Sequence, residues 1–243
     1  MHSKLLEEHG LLNKVAGSNY NFRYQKAGNK IVKDVERLLK EMNIEPKEIY
    51  TGQQMHTDNV EVVDGTNGEA FVYGRTFKET DGLITDKQNI ALLIKYADCT
   101  PIVLFDPKKR VQAVVHSGWR GTVKQISLKA IEKLEKEFKS EREDLLVYVG
   151  PSIDQDNYEV GTEVYEAFSG VKNRDDFFKP HGEKYKMSMT DANVDILLEA
   201  GIKAENMEVE RTSTYTSPEL HSARGEGPEY QLNGLITMMQ SKV

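Results

Sequence analysis

The sequence predicts an α/β (α+β) fold, a single domain of mixed β-sheets layered with helices. Three observations predict it. Short apolar runs of strand composition alternate with segments of helical periodicity, the pattern of folds that lay helices on sheets. Two neighbouring runs are joined by a tight turn, so antiparallel pairing accompanies any parallel pairing. No repeat, low-complexity tract or linker divides residues 1–243, and the span 1–29 reads as a partly flexible N-terminal segment.

Ile31, Val32, Val35, Leu38, Leu39 and Met42 recur at helical spacing and predict a helix over about residues 30–42. Short strands follow at 48–51, 60–63 and 82–85, and Ile90–Tyr96 reads as a buried strand. Pro101–Phe105 is apolar, Asp106-Pro107-Lys108-Lys109-Arg110 has turn chemistry, and Val111–Val115 is apolar again. Folding that hairpin about Lys108 sets residue 117 opposite Cys99, and a one-residue shift sets His116 there. Antiparallel partners lie about 5 Å apart, so a thiol and an imidazole are brought together locally. Thr122 opens a helix carrying Val123, Ile126, Ala130, Ile131, Leu134 and Phe138. Leu145–Val149 is a buried strand, helices follow at 162–167 and 192–200, and Thr190-Asp191 supplies an N-cap pair for the second. Met207–Thr212 reads as a strand. The span Ser217–Pro228, rich in Gly, Pro and charge, reads as a functional loop.

Composition excludes several classes. The net charge of −7 argues against nucleic acid as a partner, because that affinity comes largely from neutralising phosphates. The basic residues of 124–139 alternate with acids, as on a solvated helix face. No apolar stretch approaches the roughly 20 residues of a membrane helix, and the acidic N-terminus lacks signal-peptide character. One cysteine excludes an intrachain disulfide, so the expected setting is a reducing one, the cytoplasm.

The histidines are His2, His9, His56, His116, His181 and His221. His2 and His9 lie in a polar terminus and His181 in a surface turn. His221 stands where the tail could close over a site. His56 occupies a polar loop between two short apolar runs. Cys99, His116 and His56 together offer three zinc ligands with a fourth position open, the arrangement of catalytic zinc. Asp98, a carboxylate at the end of a buried strand, needs partners; it is placed to orient a ligand histidine or to carry a proton. Ser117-Gly118-Trp119-Arg120-Gly121-Thr122 joins a strand to a helix start, where free N–H groups and Arg120 favour an anion. Trp119, the only tryptophan, is a core or ligand-platform residue.

Gln54-Met55-His56-Thr57-Asp58-Asn59-Val60, Asp81-Gly82-Leu83-Ile84-Thr85, Ala97-Asp98-Cys99-Thr100-Pro101, His116-Ser117-Gly118-Trp119-Arg120-Gly121-Thr122 and Gly150-Pro151-Ser152-Ile153 resemble successive motifs of the YfiH-like family. Its members have been called laccase-domain or polyphenol oxidase proteins and are understood as purine nucleoside phosphorylases with adenosine deaminase activity. The resemblance covers roughly residues 30–228. It implies a fold like that of the toxin deamidase cytotoxic necrotizing factor, and a zinc ion held by His56, Cys99 and His116. It also implies purine nucleosides (adenosine, inosine, guanosine, methylthioadenosine) and phosphate as partners. In phosphorolysis phosphate attacks ribose C1′, and Arg120, Gly118, Trp119 and Arg224 are the expected substrate or phosphate contacts. Deamination uses water acidified by zinc, with Asp98 as the carboxylate for proton transfer. Residues 10–29 depart from the family's N-terminal segment, Ser213-Thr214-Tyr215 stands where a second thiol is usual, and Ser222-Ala223-Arg224-Gly225 replaces a more basic stretch. A metal-free Cys99–His116 hydrolase or deamidase is the alternative. Multicopper chemistry needs more histidines than this chain offers, though copper is an alternative occupant of the Cys–His site.

Overall fold

The computed structural model describes residues 1–241. In chain order its strands are β1 (Leu11–Ala16), β2 (Glu48–Gly52), β3 (Val60–Val62), β4 (Glu69–Phe71), β5 (Gly74–Phe77), β6 (Gly82–Thr85), β7 (Ile90–Tyr96), β8 (Thr100–Asp106), β9 (Val111–Ser117), β10 (Leu146–Val149), β11 (Glu159–Val160), β12 (Phe178–His181), β13 (Lys184–Met187), β14 (Met207–Val209) and β15 (Asn233–Met239). Four helices bear on the site: α1 (Ile31–Met42), α2 (Trp119–Val123), α3 (Ile126–Phe138) and α4 (Met189–Glu199). One six-stranded sheet has the order β1-β15-β7-β2-β5-β4 and the other β14-β10-β8-β9-β6-β3. A three-stranded sheet, β11-β13-β12, lies to one side.

Side-chain alternation explains how these pieces stack. Leu92, Ile94 and Leu235 of the first sheet meet Val103, Phe105 and Val114 of the second in one core. The opposite face of the first sheet, with Ala91, Leu93 and Ile236, packs on Val35 and Leu38 of α1. The opposite face of the second, with Leu104, Ala113 and Val147, packs on Ile131 and Leu134 of α3 and Leu197 of α4. The result is a single α/β domain in four layers: helix, sheet, sheet, helices. β8 and β9 are buried at every position, which is why their sequences read as unbroken apolar runs. Among the described residues no helix is long and apolar enough to cross a membrane.

Three expectations need correction. The β8–β9 ladder pairs Thr100 with Ser117 and Pro101 with His116. Extended by one step, it sets Gly118 opposite Cys99, so the register shift runs the other way from the one expected. The helix expected from Thr122 begins earlier, with Gly118 as N-cap of α2, and is interrupted at Gln125 (φ 56°) before α3. α4 likewise starts earlier, capped by Ser188, whose hydroxyl accepts from the Asp191 N–H. The N-terminal span holds a short helix at Lys4–Glu8 and strand β1, paired antiparallel along its length with β15. Neither β1 nor β15 was evident from the sequence, because Asn13 and Lys14 interrupt the pattern in one and Gly234 in the other. The 217–228 loop contains one turn of helix at Ala223–Glu226, capped by Ser222.

Candidate active site

Cys99 sits in the turn from β7 to β8, half-buried. The preceding residue, Asp98, has φ 83°, which turns the chain sharply there. Its buried carboxylate finds the partners it needs: Thr214 Oγ1 donates to one oxygen at 2.6 Å and the Arg224 N–H to the other at 2.7 Å. Asp98 therefore fixes the Cys99 turn and the tail loop; it does not orient a histidine, as was expected.

That task falls to Asp81, which the sequence reading did not nominate. Asp81 is fully buried at the entry to β6 and accepts from His116 Nδ1 at 2.8 Å. This leaves Nε2 as the ligand nitrogen of His116, a carboxylate–histidine pair of the kind that orients metal ligands. The same carboxylate accepts the N–H groups of Met55, His56 and Thr57 at 3.0, 3.1 and 2.9 Å, and the Thr57 hydroxyl at 2.9 Å. The His56 loop is thus gathered around the group that holds His116, with His56 itself at φ 60°. Gln54 pins the other end of the loop. Its side-chain amide accepts from the Lys95 N–H at 2.9 Å and donates to the Lys95 carbonyl, extending the β2–β7 ladder with a side chain.

These anchors bring the three candidate ligands together. One donor atom each from His56, Cys99 and His116 all lie within 4.8 Å of one another, with Cys99 Sγ 3.8 Å from His56 Nε2. Gly118 makes room for them. Its φ is an ordinary −74°, so the constraint is steric: a Cβ would stand 2.8 Å from His56 Cδ2 and 3.0 Å from Cys99 Sγ. Burial opposes the Cys99 thiolate, but the positive His116 and hydrogen bonds from both histidines outweigh it and bring the thiol down to about 6. Burial also opposes a charged His116, yet the thiolate and Asp81 raise it. Asp81 is held down at about 2, burial being outweighed by His116 and the backbone donors. Two imidazoles and an easily ionised thiol, in reach of one point and backed by a carboxylate, fit a divalent ion with an open position. Among the described residues this is the one such group, enough for a single ion.

A cavity of about 480 Å³ opens beside the three ligands, within the range of small-molecule sites. Its far wall is aromatic, made by Tyr24, Phe71, Tyr73 and Tyr230 with Arg23. Tyr24, Phe71 and Tyr73 meet edge to face, with centroids 5.2 and 4.9 Å apart. The N-terminal segment and the β4–β5 hairpin supply most of this wall, which only a search for long-range contacts could have found. Gly118, Trp119, Arg120 and Arg224 do not line it. Trp119 packs on the satellite core around Phe178, and exposed Arg120 lies over its ring at 4.2 Å. Arg224 is exposed and donates to the Glu159 carbonyl at 3.1 Å. Both arginines act on Tyr158, whose phenol is pushed up by burial and by the Cys99 charge. His221 does not close over the metal group. Its ring nitrogens engage Tyr20 O at 2.6 Å and Glu226 Oε1 at 2.9 Å, tying the tail to the N-terminal segment.

Known proteins share this arrangement of elements. The solved structure of YlmD from Geobacillus stearothermophilus superposes with a TM-score of 0.86 at 20% identity, covering 98% of this chain and 94% of the other. A purine nucleoside phosphorylase of Bacteroides thetaiotaomicron is 32% identical over 82% of this chain and 76% of its own length. Adenosine deaminase RL5, from an unknown prokaryotic organism, is 32% identical over 70% of this chain and 66% of its own. The family model described as multi-copper polyphenol oxidoreductase laccase matches residues 8–238, and the chain belongs to that family.

Proposed function

We propose that this protein is a zinc-dependent purine nucleoside phosphorylase that also deaminates adenosine. The observation that carries the reading is the convergence of His56, Cys99 and His116 at one end of an aromatic-lined cavity of nucleoside size. Relatives named for each activity, at 32% identity, support it. Their names also favour nucleosides over the phenols that the family description suggests. The single free thiol suits a reducing compartment, and we place the protein in the cytoplasm.

In phosphorolysis a phosphate oxygen forms a bond to ribose C1′ as the C1′–N9 bond breaks. The purine leaves with the bonding pair and takes up a proton. A flat base fits against the Tyr24, Phe71 and Tyr73 wall, where stacking and exclusion of water hold it. His56, Cys99 and His116 would hold zinc, which supplies Lewis acidity and an acidified water when bound. Asp81 keeps both histidines in register. Asp98, with both oxygens engaged, serves by fixing the Cys99 turn. Arg120 and Arg224, on the Tyr158 side of Cys99, remain candidates for contacts to substrate outside the cavity.

The test is incubation of purified protein with adenosine, with and without phosphate. Adenine with ribose 1-phosphate reports phosphorolysis and inosine reports deamination. Zinc-replete protein that yields neither overturns the proposal, and a C99A variant that keeps both removes the site. The lowered Cys99 thiol beside His116 sustains a second reading, a thiol hydrolase like the toxin deamidases, which predicts full activity without metal.

A further inference from the structure

β2 runs parallel to both β5 and β7, so these strands end on the same side of the sheet. In open α/β sheets that carboxyl end is where ligands collect. Thr51, Thr76 and Lys95 lie at those ends and line the cavity beside the metal group. They share one face of the sheet. Thr51 is the register partner of Thr76, and its hydroxyl donates to the Leu93 carbonyl at 2.9 Å, two residues before Lys95.

The charge of this cavity is one-sided. Among the described residues no Asp or Glu lines it, while Arg23 and Lys95 both do, in a chain of net charge −7. Arg23 is committed to the tail through one of its two terminal nitrogens. Its Nη1 donates to the carbonyls of Pro228 and Tyr230 at 2.9 and 2.7 Å, and its plane lies 3.8 Å over the Tyr230 ring. Lys95 is half-buried, and Nζ donates to the Gly52 carbonyl at 2.8 Å. Among the described residues it has no carboxylate partner. An ammonium has three donors, so two stay free for the cavity. Nearby Asp81 is saturated by the donors described above. Thr76, 3% exposed, keeps its hydroxyl without a partner among the described residues, as does Tyr73. Buried donors left in this state call for an acceptor.

We infer that Lys95 and Thr76 form a phosphate subsite, Nζ and Oγ1 donating to a tetrahedral phosphoryl group that shares the cavity with His56, Cys99 and His116. Taking that group as the inorganic co-substrate rests on the nucleoside phosphorylase reading; the phosphoryl group of a nucleotide has the same chemistry. The assignment replaces the expectation at Arg120, which is exposed and outside the cavity.

Calorimetric titration of the purified chain with inorganic phosphate, and separately with adenosine 5′-monophosphate, tests this. K95M weakens phosphate binding about 10-fold or more, the worth of a charge-assisted hydrogen bond, and K95R restores most of it. T76V removes an unpartnered hydroxyl at nearly constant shape, so it keeps the fold, and weakens phosphate about threefold or more. In turnover, K95M raises the KM for phosphate by the larger factor while the nucleoside KM moves much less. Unchanged phosphate affinity in both K95M and T76V overturns the subsite, as does loss of binding in R120Q with K95M unaffected. Nucleotide binding through Lys95 without binding of inorganic phosphate overturns the co-substrate assignment. Phosphate binding through Lys95 in a wild-type chain that splits no nucleoside supports the subsite and sinks the nucleoside reading instead.

Discussion

One carboxylate, Asp81, receives five hydrogen bonds, from three consecutive backbone N–H groups, one hydroxyl and one imidazole. An amide in its place cannot accept them all. D81N is therefore expected to weaken metal binding roughly 10- to 100-fold, the usual cost of losing such a partner. Competition titration with a zinc chelator measures this, and unaltered affinity would show that His116 and the 55–57 loop hold their places without it. Gly118 sets a complementary limit. G118A drives a methyl group into His56 and Cys99, so metal stoichiometry falls while the thermal midpoint of the metal-free chain moves little. Full metal occupancy in G118A is the contrary result. His56, Cys99 and His116 were named from the sequence as one group, and the fold does gather them, yet the orienting role was given to Asp98. Asp81, just before Gly82–Thr85, borders a buried strand as Asp98 does. What separates them is a contact between residues 81 and 116, which no local pattern encodes.

Among the elements, the strands with unbroken apolar character were legible because both faces of β7, β8 and β9 are covered. β1 and β15 were not, since their identity as partners rests on a pairing across more than 200 residues. Register was the subtler failure. Turn chemistry located the β8–β9 hairpin, but a ladder centred between Lys108 and Lys109 differs by one residue from one centred on Lys108, and composition does not distinguish them. The joint from β9 to α2 is held from below by α4. Asn193, fully buried, accepts from Ser117 Oγ at 2.8 Å and donates to Thr122 Oγ1 at 3.2 Å and to the Met189 carbonyl at 2.9 Å. N193A strands these groups and is expected to cost about 1–3 kcal/mol, read from the urea unfolding midpoint. A change below about 0.5 kcal/mol would mean that the joint repacks without the amide.

For the molecule as a whole, the layered stack withdraws one cation, the half-buried Lys95, from much of its solvent. Burial brings Lys95 down to about 8, with the Asp81 charge acting in the opposite sense. A lysine depressed on folding binds fewer protons in the native state than in the unfolded one. Stability then rises with pH from about 8 toward the ordinary lysine value of about 10.4. Wild type is expected to gain on K95M across that window in urea midpoints measured without phosphate, and parallel profiles would contradict the burial. The same stack settles when the site is organised. With Gln54 and Asp81 clamping either side of His56, the conformational entropy of that loop is surrendered during folding. Capture of the ion then leaves the backbone where it was, and rapid mixing with zinc will show one bimolecular phase with no slow rearrangement behind it.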